Sequence, residues 1–224
     1  WVEARQTQIA AAQMSDAPHV FETGAFQQST DLIALLESES YRPVHYAHDM
    51  VRSLAETIPD CPLPPGLELR PVRPEHYRPI WDASHEAFRD HWGYSPWPEA
   101  KYERWLKSPV EFMPELWQVA WDVAKDEVAG QVQTYINVQE NEALNRRRGY
   151  SEAISVRRPY RRRGLARAII FESLRTLKAQ GMTESALSVD ADSLTGATRL
   201  YESCGFVVDS TFVVYRKPFV ASVA

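Results

Sequence analysis

The run Ile154-Ser155-Val156-Arg157-Arg158-Pro159-Tyr160-Arg161-Arg162-Arg163-Gly164-Leu165-Ala166-Arg167-Ala168-Ile169-Ile170 decides how the chain is read. A β-rich strand enters a turn held by Pro159, and a glycine then opens a helix with small residues in its first turn. Such a junction points successive backbone N–H groups into one concavity, at the positive end of the helix dipole. Any side chain larger than those of Gly164 and Ala166 would hold a phosphate away from those amides. Arginines at the mouth add charge-assisted contacts to phosphate oxygens. The physical reading is a pyrophosphate cradle, set against the plainer one of a structural turn with solvated arginines. No Gly-Lys-Ser/Thr follows, so it is not a Walker loop, and the spacing Gly-x-Gly-x-x-Gly is absent.

Working outward, Arg163 to Gln180 reads as a long helix ended by Gly181, Ser185 to Val189 as a short strand, and Leu194 to Cys204 as a helix ended by Gly205. Phe206 to Lys217 supplies the final strand or strands. Upstream, Tyr150 to Val156 is a strand preceded by a polar excursion, Gln139 to Arg148. Leu116 to Trp121 and Glu127 to Ile136 form an antiparallel hairpin by pattern. Glu75 to Asp90 and Glu99 to Lys107 read as helices on either side of the aromatic loop His91-Trp92-Gly93-Tyr94-Ser95-Pro96-Trp97-Pro98. Leu67 to Val72 alternates like a half-buried strand. Before it, Asp60-Cys61-Pro62-Leu63-Pro64-Pro65-Gly66 can continue neither a helix nor a central strand and is taken as a linker.

The segment before that linker repeats the later element order: helix Trp1 to Gln13, strand Val20 to Thr23, helix Asp31 to Ser38, extended Tyr41 to Met50. Leu36-Glu37-Ser38-Glu39-Ser40-Tyr41 aligns with Tyr201-Glu202-Ser203-Cys204-Gly205-Phe206 at a spacing of 165 residues. The organisation expected is the back half of a first copy over 1–59, a linker over 60–66, a complete second copy over 67–218, and a tail over 219–224. An unrelated helical extension is the alternative for the first segment. The start at Trp1, inside a helical pattern, is what a fragment would show.

Composition narrows the function. With 224 residues, 44% hydrophobic and 25% charged, the chain is ordinary for a globular protein. No run approaches 18 apolar residues, so no membrane partner is expected. A net charge of −5 argues against a nucleic-acid partner. The arginines at 146–148, 157, 158, 161–163 and 167 therefore suit a local phosphate site, with the surplus paired to carboxylates. Cys61 and Cys204 are expected to stay reduced in a cytoplasm, and no Cys/His grouping has metal-ligand spacing.

Two motifs carry a family resemblance. Arg161-x-x-Gly164-x-Ala166 resembles the acyl-CoA signature of the GCN5-related N-acetyltransferases. Downstream, Asp192, Ala197, Leu200, Tyr201, Glu202, Gly205 and Phe206 resemble the second signature of that family. The duplicated layout looks most like tandem acetyltransferases of the mycothiol synthase type. The resemblance implies an α/β fold, in α+β form with a splayed mixed sheet, in which a β-bulge parts the strand at Ile154–Val156 from that at Ser185–Val189. Acetyl-CoA as co-substrate, with no metal, would lie in that gap, its pantetheine arm on Ile154, Ser155 and Val156 and its pyrophosphate wrapped by Arg161, Arg162, Arg163, Gly164, Leu165, Ala166 and Arg167. Asp192, Ala197 and Tyr201 would complete the coenzyme site.

The implied reaction is direct transfer of an acetyl group to a primary amine of a small molecule or peptide. The site must deprotonate an ammonium, stabilise an oxyanion and protonate the departing sulfur. The resemblance gives Tyr201 the last task. Glu152, which by alternation shares the face of Ile154 and Val156, is the preferred base, with Glu140 and Glu142 as rivals. The alternative is a silent acyl-CoA-binding module that regulates a partner. In the first copy, Leu36 stands where the second has Tyr201 and Ser40 where it has Gly205, so residues 1–60 are expected to bind no coenzyme. They would support the fold or wall the acceptor site, and their open edges make a homodimer plausible.

Overall fold

One mixed sheet of eight strands runs through the protein in the order β1-β8-β2-β7-β6-β5-β4-β3. The computed structural model describes residues 2–12, 19–192 and 196–219. The strands are β1 (Val20–Phe26), β2 (Arg42–Ser53), β3 (Leu67–Leu69), β4 (Gln118–Asp122), β5 (Glu127–Tyr135), β6 (Arg148–Val156), β7 (Glu184–Asp190) and β8 (Val207–Pro218). The helices are α1 (Val2–Ala12), α2 (Thr30–Ser38), α3 (Tyr77–Ala87), α4 (Glu99–Leu106), α5 (Val138–Ala143), α6 (Leu165–Ala179) and α7 (Ala197–Ser203). Of the expected segments, Trp1, Gln13, Leu194 and the tail beyond Phe219 lie outside the described residues.

Helix α6 anchors the main core. Leu165, Ile169, Ile170, Leu174 and Leu177 fall on one helical stripe and are almost wholly buried against the sheet, with Met50, Ala129, Val132 and Leu187 beneath them. Burying each such side chain is worth about 1.5–3 kcal/mol. Gly149 lets the helix come this close, because a Cβ there would sit 2.2 Å from Leu177 Cδ2. A second cluster (Ile80, Ala83, Trp117, Val119, Trp121 and Val128) packs α3 on the sheet.

The sheet opens where the resemblance places the gap. Strands β6 and β7 pair in parallel only at Arg148–Tyr150 with Glu184–Ala186. Beyond that, the β5–β6 register slips between Gln131↔Ser155 and Gln133↔Glu152, and Ala153 takes φ +47°. Two residues of β6 then oppose one of β5, which bends the strand away from β7.

Several boundaries differ from expectation. The polar excursion contains α5, because Asn137 Oδ1 accepts from the Glu140 amide at 3.1 Å and caps it. Helix α6 starts at Leu165, since φ +59° at Arg162 and +85° at Gly164 keep the preceding turn out of the helix. The helix expected over Glu75–Asp90 is divided, with 3-10 turns at Pro74–His76 and Phe88–Asp90 flanking α3. The proline-rich segment lies against α6: Arg175 Nη2 donates to Pro59 O at 2.6 Å, and Cys61 and Leu63 pack on the main core.

The amino-terminal segment is woven into the same sheet. β2 inserts between β7 and β8, and β8 inserts between β1 and β2, all antiparallel. β2 and β8 are both 12 residues long and lie 165 positions apart at both ends. The helices α2 and α7 end 165 positions apart as well.

Candidate functional site

A cleft of about 590 Å³ opens between the diverging strands and the turn before α6. Its lining contains Ile154, Ser155 and Val156 of β6, Arg161, Arg162, Gly164, Leu165, Ala166 and Arg167 of the turn and first helical residues, and Ala197 and Tyr201 of α7. The two sequence motifs thus meet in one cavity. Ala87, His91, Tyr160 and Leu200 complete the lining and were not among the site residues expected from the sequence. Tyr160 stood inside the quoted run, and Leu200 and His91 inside the second signature and the aromatic loop.

The turn is built as an anion nest. Arg162 and Gly164 are left-handed, at φ +59° and +85°, and Gly164 leaves open space where a Cβ would stand. The amides of Arg162 to Arg167 find no protein acceptor among the described residues; the first helical bond is from the Ala168 amide to Gly164 O at 3.2 Å. Convergent N–H groups without acceptors, at the start of a 15-residue helix, attract phosphate oxygens.

The arginines divide by partner. Arg161 donates to Asp90 Oδ2 at 2.8 Å, to Val156 O at 3.0 Å and to Ala87 O at 3.2 Å, so it braces the turn against the end of α3. Arg158 joins it on Asp90, and together the two guanidinium groups pull that carboxyl down to about 2. Arg157 pairs with Glu86 and Glu127, Arg146 with Glu140, and Arg148 with Glu184. Arg162 and Arg167 face the cleft without a carboxylate partner among the described residues, Arg167 donating to Ser203 Oγ at 2.9 Å. Arg163 turns away, donating to Pro65 O at 3.2 Å, and does not line the cleft. Asp192 stands in the turn after β7 and is not part of the lining either.

Tyr201 is 7% exposed, and its hydroxyl has no hydrogen-bond partner among the described residues. Burial pushes this phenol well above its ordinary range, and the negative charges of Glu152, Cys204 and Asp190 add to the rise. A phenol so disposed keeps its proton at neutral pH. Cys204, just past the end of α7, is buried in the core.

Glu152 requires a correction. Gln131 and Gln133 share a face, and their partners across the slipped register are Ser155 and Glu152. Glu152 therefore lies on the side of Gln133, whose Oε1 accepts from Trp105, while Ile154 and Val156 join the α6 core. The bulge at Ala153 breaks the alternation that had put the three together. Its carboxylate spans the opening toward β7, accepting the Ser188 amide at 3.0 Å, and does not line the cleft itself. Burial raises its pKa to about 7, with Asp49 and Glu111 adding like charge and the Ser188 and Ala153 amides opposing. The rival Glu140 is committed to Arg146 and to the Tyr150 hydroxyl at 2.8 Å.

A sequence profile described as the Acetyltransferase (GNAT) family matches residues 78–206. The mycothiol acetyltransferase of Thermobispora bispora is 29% identical over 174 residues, which are 75% of this chain and 56% of that protein. The chain thus spans little more than half the length of that relative. Among solved structures, a GCN5-related N-acetyltransferase from Sphaerobacter thermophilus superposes with a TM-score of 0.78 at 29% identity, covering 97% of this chain and 65% of that one. A tandem GNAT protein from the clavulanic acid biosynthesis pathway gives 0.66 at 13% identity over 96% of this chain and 68% of its own, a likeness of fold alone.

Proposed function

The chain belongs to the GNAT acetyltransferase family, and from that premise we propose that it transfers an acetyl group from acetyl-CoA directly to a primary amine of a small molecule or peptide. The single observation that carries this reading is that unpartnered amides at the start of α6 and the free hydroxyl of Tyr201 share one cleft.

The nest fits a pyrophosphate: its amides lack acceptors, and Gly164 leaves open the space that a Cβ would fill. Each amide bonded to a charged oxygen is worth about 1.5–3 kcal/mol. When bound, acetyl-CoA supplies an activated acyl group. The amides of the nest and the Arg162 and Arg167 side chains would bind its phosphates, and the free edge of β6 at Ile154–Val156 would orient its arm. Tyr201 would hold a proton at its phenolic oxygen for the departing sulfur. Glu152, titrating near neutrality, would accept the proton of the acceptor's ammonium through water. Arg163, in the turn before α6, and Asp192, in the turn after β7, contribute no lining and would act through those two turns.

The reading of residues 1–59 as the back half of a first copy is supported by the shared spacing of α2 with α7 and β2 with β8. The outer edge of β1, which among the described residues pairs only with β8, supports pairing between two chains, and a scattering profile that stays monomeric at high concentration counts against it. The likeness to a mycothiol acetyltransferase puts a mycothiol-type amine first in an acceptor screen.

The test is release of thiol from acetyl-CoA across a panel of primary amines, wild type beside Tyr201→Phe. Turnover by the wild type and its loss in the variant support the enzyme. Coenzyme binding with no turnover on any amine would favour the silent module instead.

A further inference from the structure

One wall of the cleft has no part in the reading so far. His91, just past the 3-10 turn Phe88–Asp90, faces the cavity that Tyr201 also lines. Its Nδ1 lies 3.2 Å from Asp190 Oδ2 at the end of β7. The other oxygen of that carboxylate lies 2.9 Å from His45 Nε2 on β2. His45 in turn stacks on Trp92 at 4.1 Å with the rings 4° apart, and Arg216 of β8 lies over the same indole at 4.7 Å. The Phe88 ring packs on His91 at 4.3 Å.

A carboxylate beside Nδ1 favours the tautomer that carries its proton there and leaves Nε2 unprotonated, which is how a proton-accepting imidazole is prepared. From this geometry we propose that His91 is a further catalytic residue, taking a proton from the attacking amine, with Asp190 as its partner and His45 as a positioning residue behind Asp190. The inference rests on the acetyl-transfer reading. An acceptor nitrogen enters as an ammonium and ends as an amide, so it loses two protons. The first goes through Glu152 to solvent. The second leaves as the C–N bond forms and goes to His91 Nε2. Tyr201 gives its phenolic proton to sulfur as the C–S bond breaks, and the imidazolium restores that proton to the phenolate through water. Each turnover then releases one proton, as amide formation from an ammonium and a thioester requires.

The amino-terminal segment gains a role by this account. It has no nest of its own among the described residues, yet His45 on β2 holds the carboxylate beside His91, and with Arg216 it clamps the aromatic loop at Trp92. The charged and titratable groups around the imidazole are Asp190, His45, Arg216, Asp90 with its partners Arg158 and Arg161, and Tyr201 in the same cleft.

The experiment uses the whole chain with acetyl-CoA and a panel of primary amines between pH 6 and 9. His91→Asn keeps a donor for Asp190 and removes the base. It is expected to melt with the wild type, bind CoA within about twofold, and lose at least about 100-fold in kcat together with one ionisation of the pH profile. His45→Ala is expected to lose about tenfold through the acceptor KM, with the KM for acetyl-CoA unchanged. Wild-type turnover by His91→Asn, or loss of its CoA binding, overturns the proposal. An independent reading comes from nitrogen-15 spectra of the CoA-saturated protein. They should show His91 with its proton on Nδ1, an arrangement lost in Asp190→Asn, and a proton on Nε2 in the wild type overturns the proposal as well. If no amine is acetylated by the wild type, acetyl transfer itself fails, while the spectra still decide the imidazole's arrangement.

Discussion

The two strand–helix–strand units, β1–α2–β2 and β7–α7–β8, share element order and the 165-residue spacing of their helix ends and last strands, and differ in chemistry. Both helices end in the same cap: Tyr41 donates its amide to Leu36 O at 2.9 Å, and Phe206 donates to Tyr201 O at 3.0 Å. The left-handed residue of the cap is Ser40 at φ +69° in one unit and Gly205 at +88° in the other. Leu36 and Tyr201 occupy matching positions, and both are buried. The units part at the phenol. In the first it stands just before β2, at Tyr41, where its hydroxyl donates to Glu3 at 2.9 Å, and burial together with that carboxylate pushes it up to about 12. In the second it stands on the helix at Tyr201, unpartnered and open to the cleft. Packing and capping fix the backbone of both units, whereas the position of one hydroxyl separates support from chemistry.

The comparison breaks most directly at that hydroxyl. Tyr201→Phe removes it without removing packing, and a loss of at least about 100-fold in kcat is expected with little change in melting temperature. Tyr41→Phe is expected to leave kcat unchanged and to cost about 1 kcal/mol of stability in denaturant titration. Equal effects of the two on activity would dissolve the distinction.

Glu152 gives a prediction in pH. Its folded-state pKa, about 7, lies above the ordinary 4.5, so the native state binds this proton more tightly than the unfolded chain. The stability it contributes is present below pH 4.5 and is lost as pH rises toward 7. Glu152→Gln should therefore match or fall below the wild type at pH 4.5 and exceed it at pH 8, by on the order of 1–2 kcal/mol given the partly open site. Catalysis runs the opposite way. The rise of kcat/KM through pH 7 is expected to flatten in the same variant.

Smaller effects are expected at the caps. Gly205→Ala puts a Cβ at φ +88°, with Arg52 Nε 3.2 Å away, and should cost about 1–2 kcal/mol. Ser40→Gly relaxes the matching strain and should change stability by less than about 1 kcal/mol, in the stabilising direction. A cap in which glycine gained nothing at position 40 would show that the two turns are held differently.

What was legible follows from how far apart the cooperating residues stand. The nest and the Tyr201 motif are contiguous runs whose spacing reflects local backbone geometry, and the structure brings both to one cleft. The face of Glu152 differs from expectation because nothing in the residues Glu152-Ala153-Ile154 places the bulge at the left-handed Ala153, where the β5–β6 register slips. His45, His91 and Asp190 meet only through β2 inserted beside β7, a pairing set by sheet order rather than by any local pattern. Arg163 looked like its neighbours in the run, and in the structure it donates to the Pro65 carbonyl instead of lining the cleft.

The central claim is that the main-chain amides at the start of α6 grip a diphosphate. Calorimetric titration of CoA into the wild type and into Gly164→Val tests it most directly, since a branched side chain at φ +85° fills the open space and distorts the nest. The account predicts saturable binding to the wild type and at least about tenfold weaker binding to the variant, about 1.4 kcal/mol, with the fold retained. Equal affinity of the two proteins for CoA would contradict it.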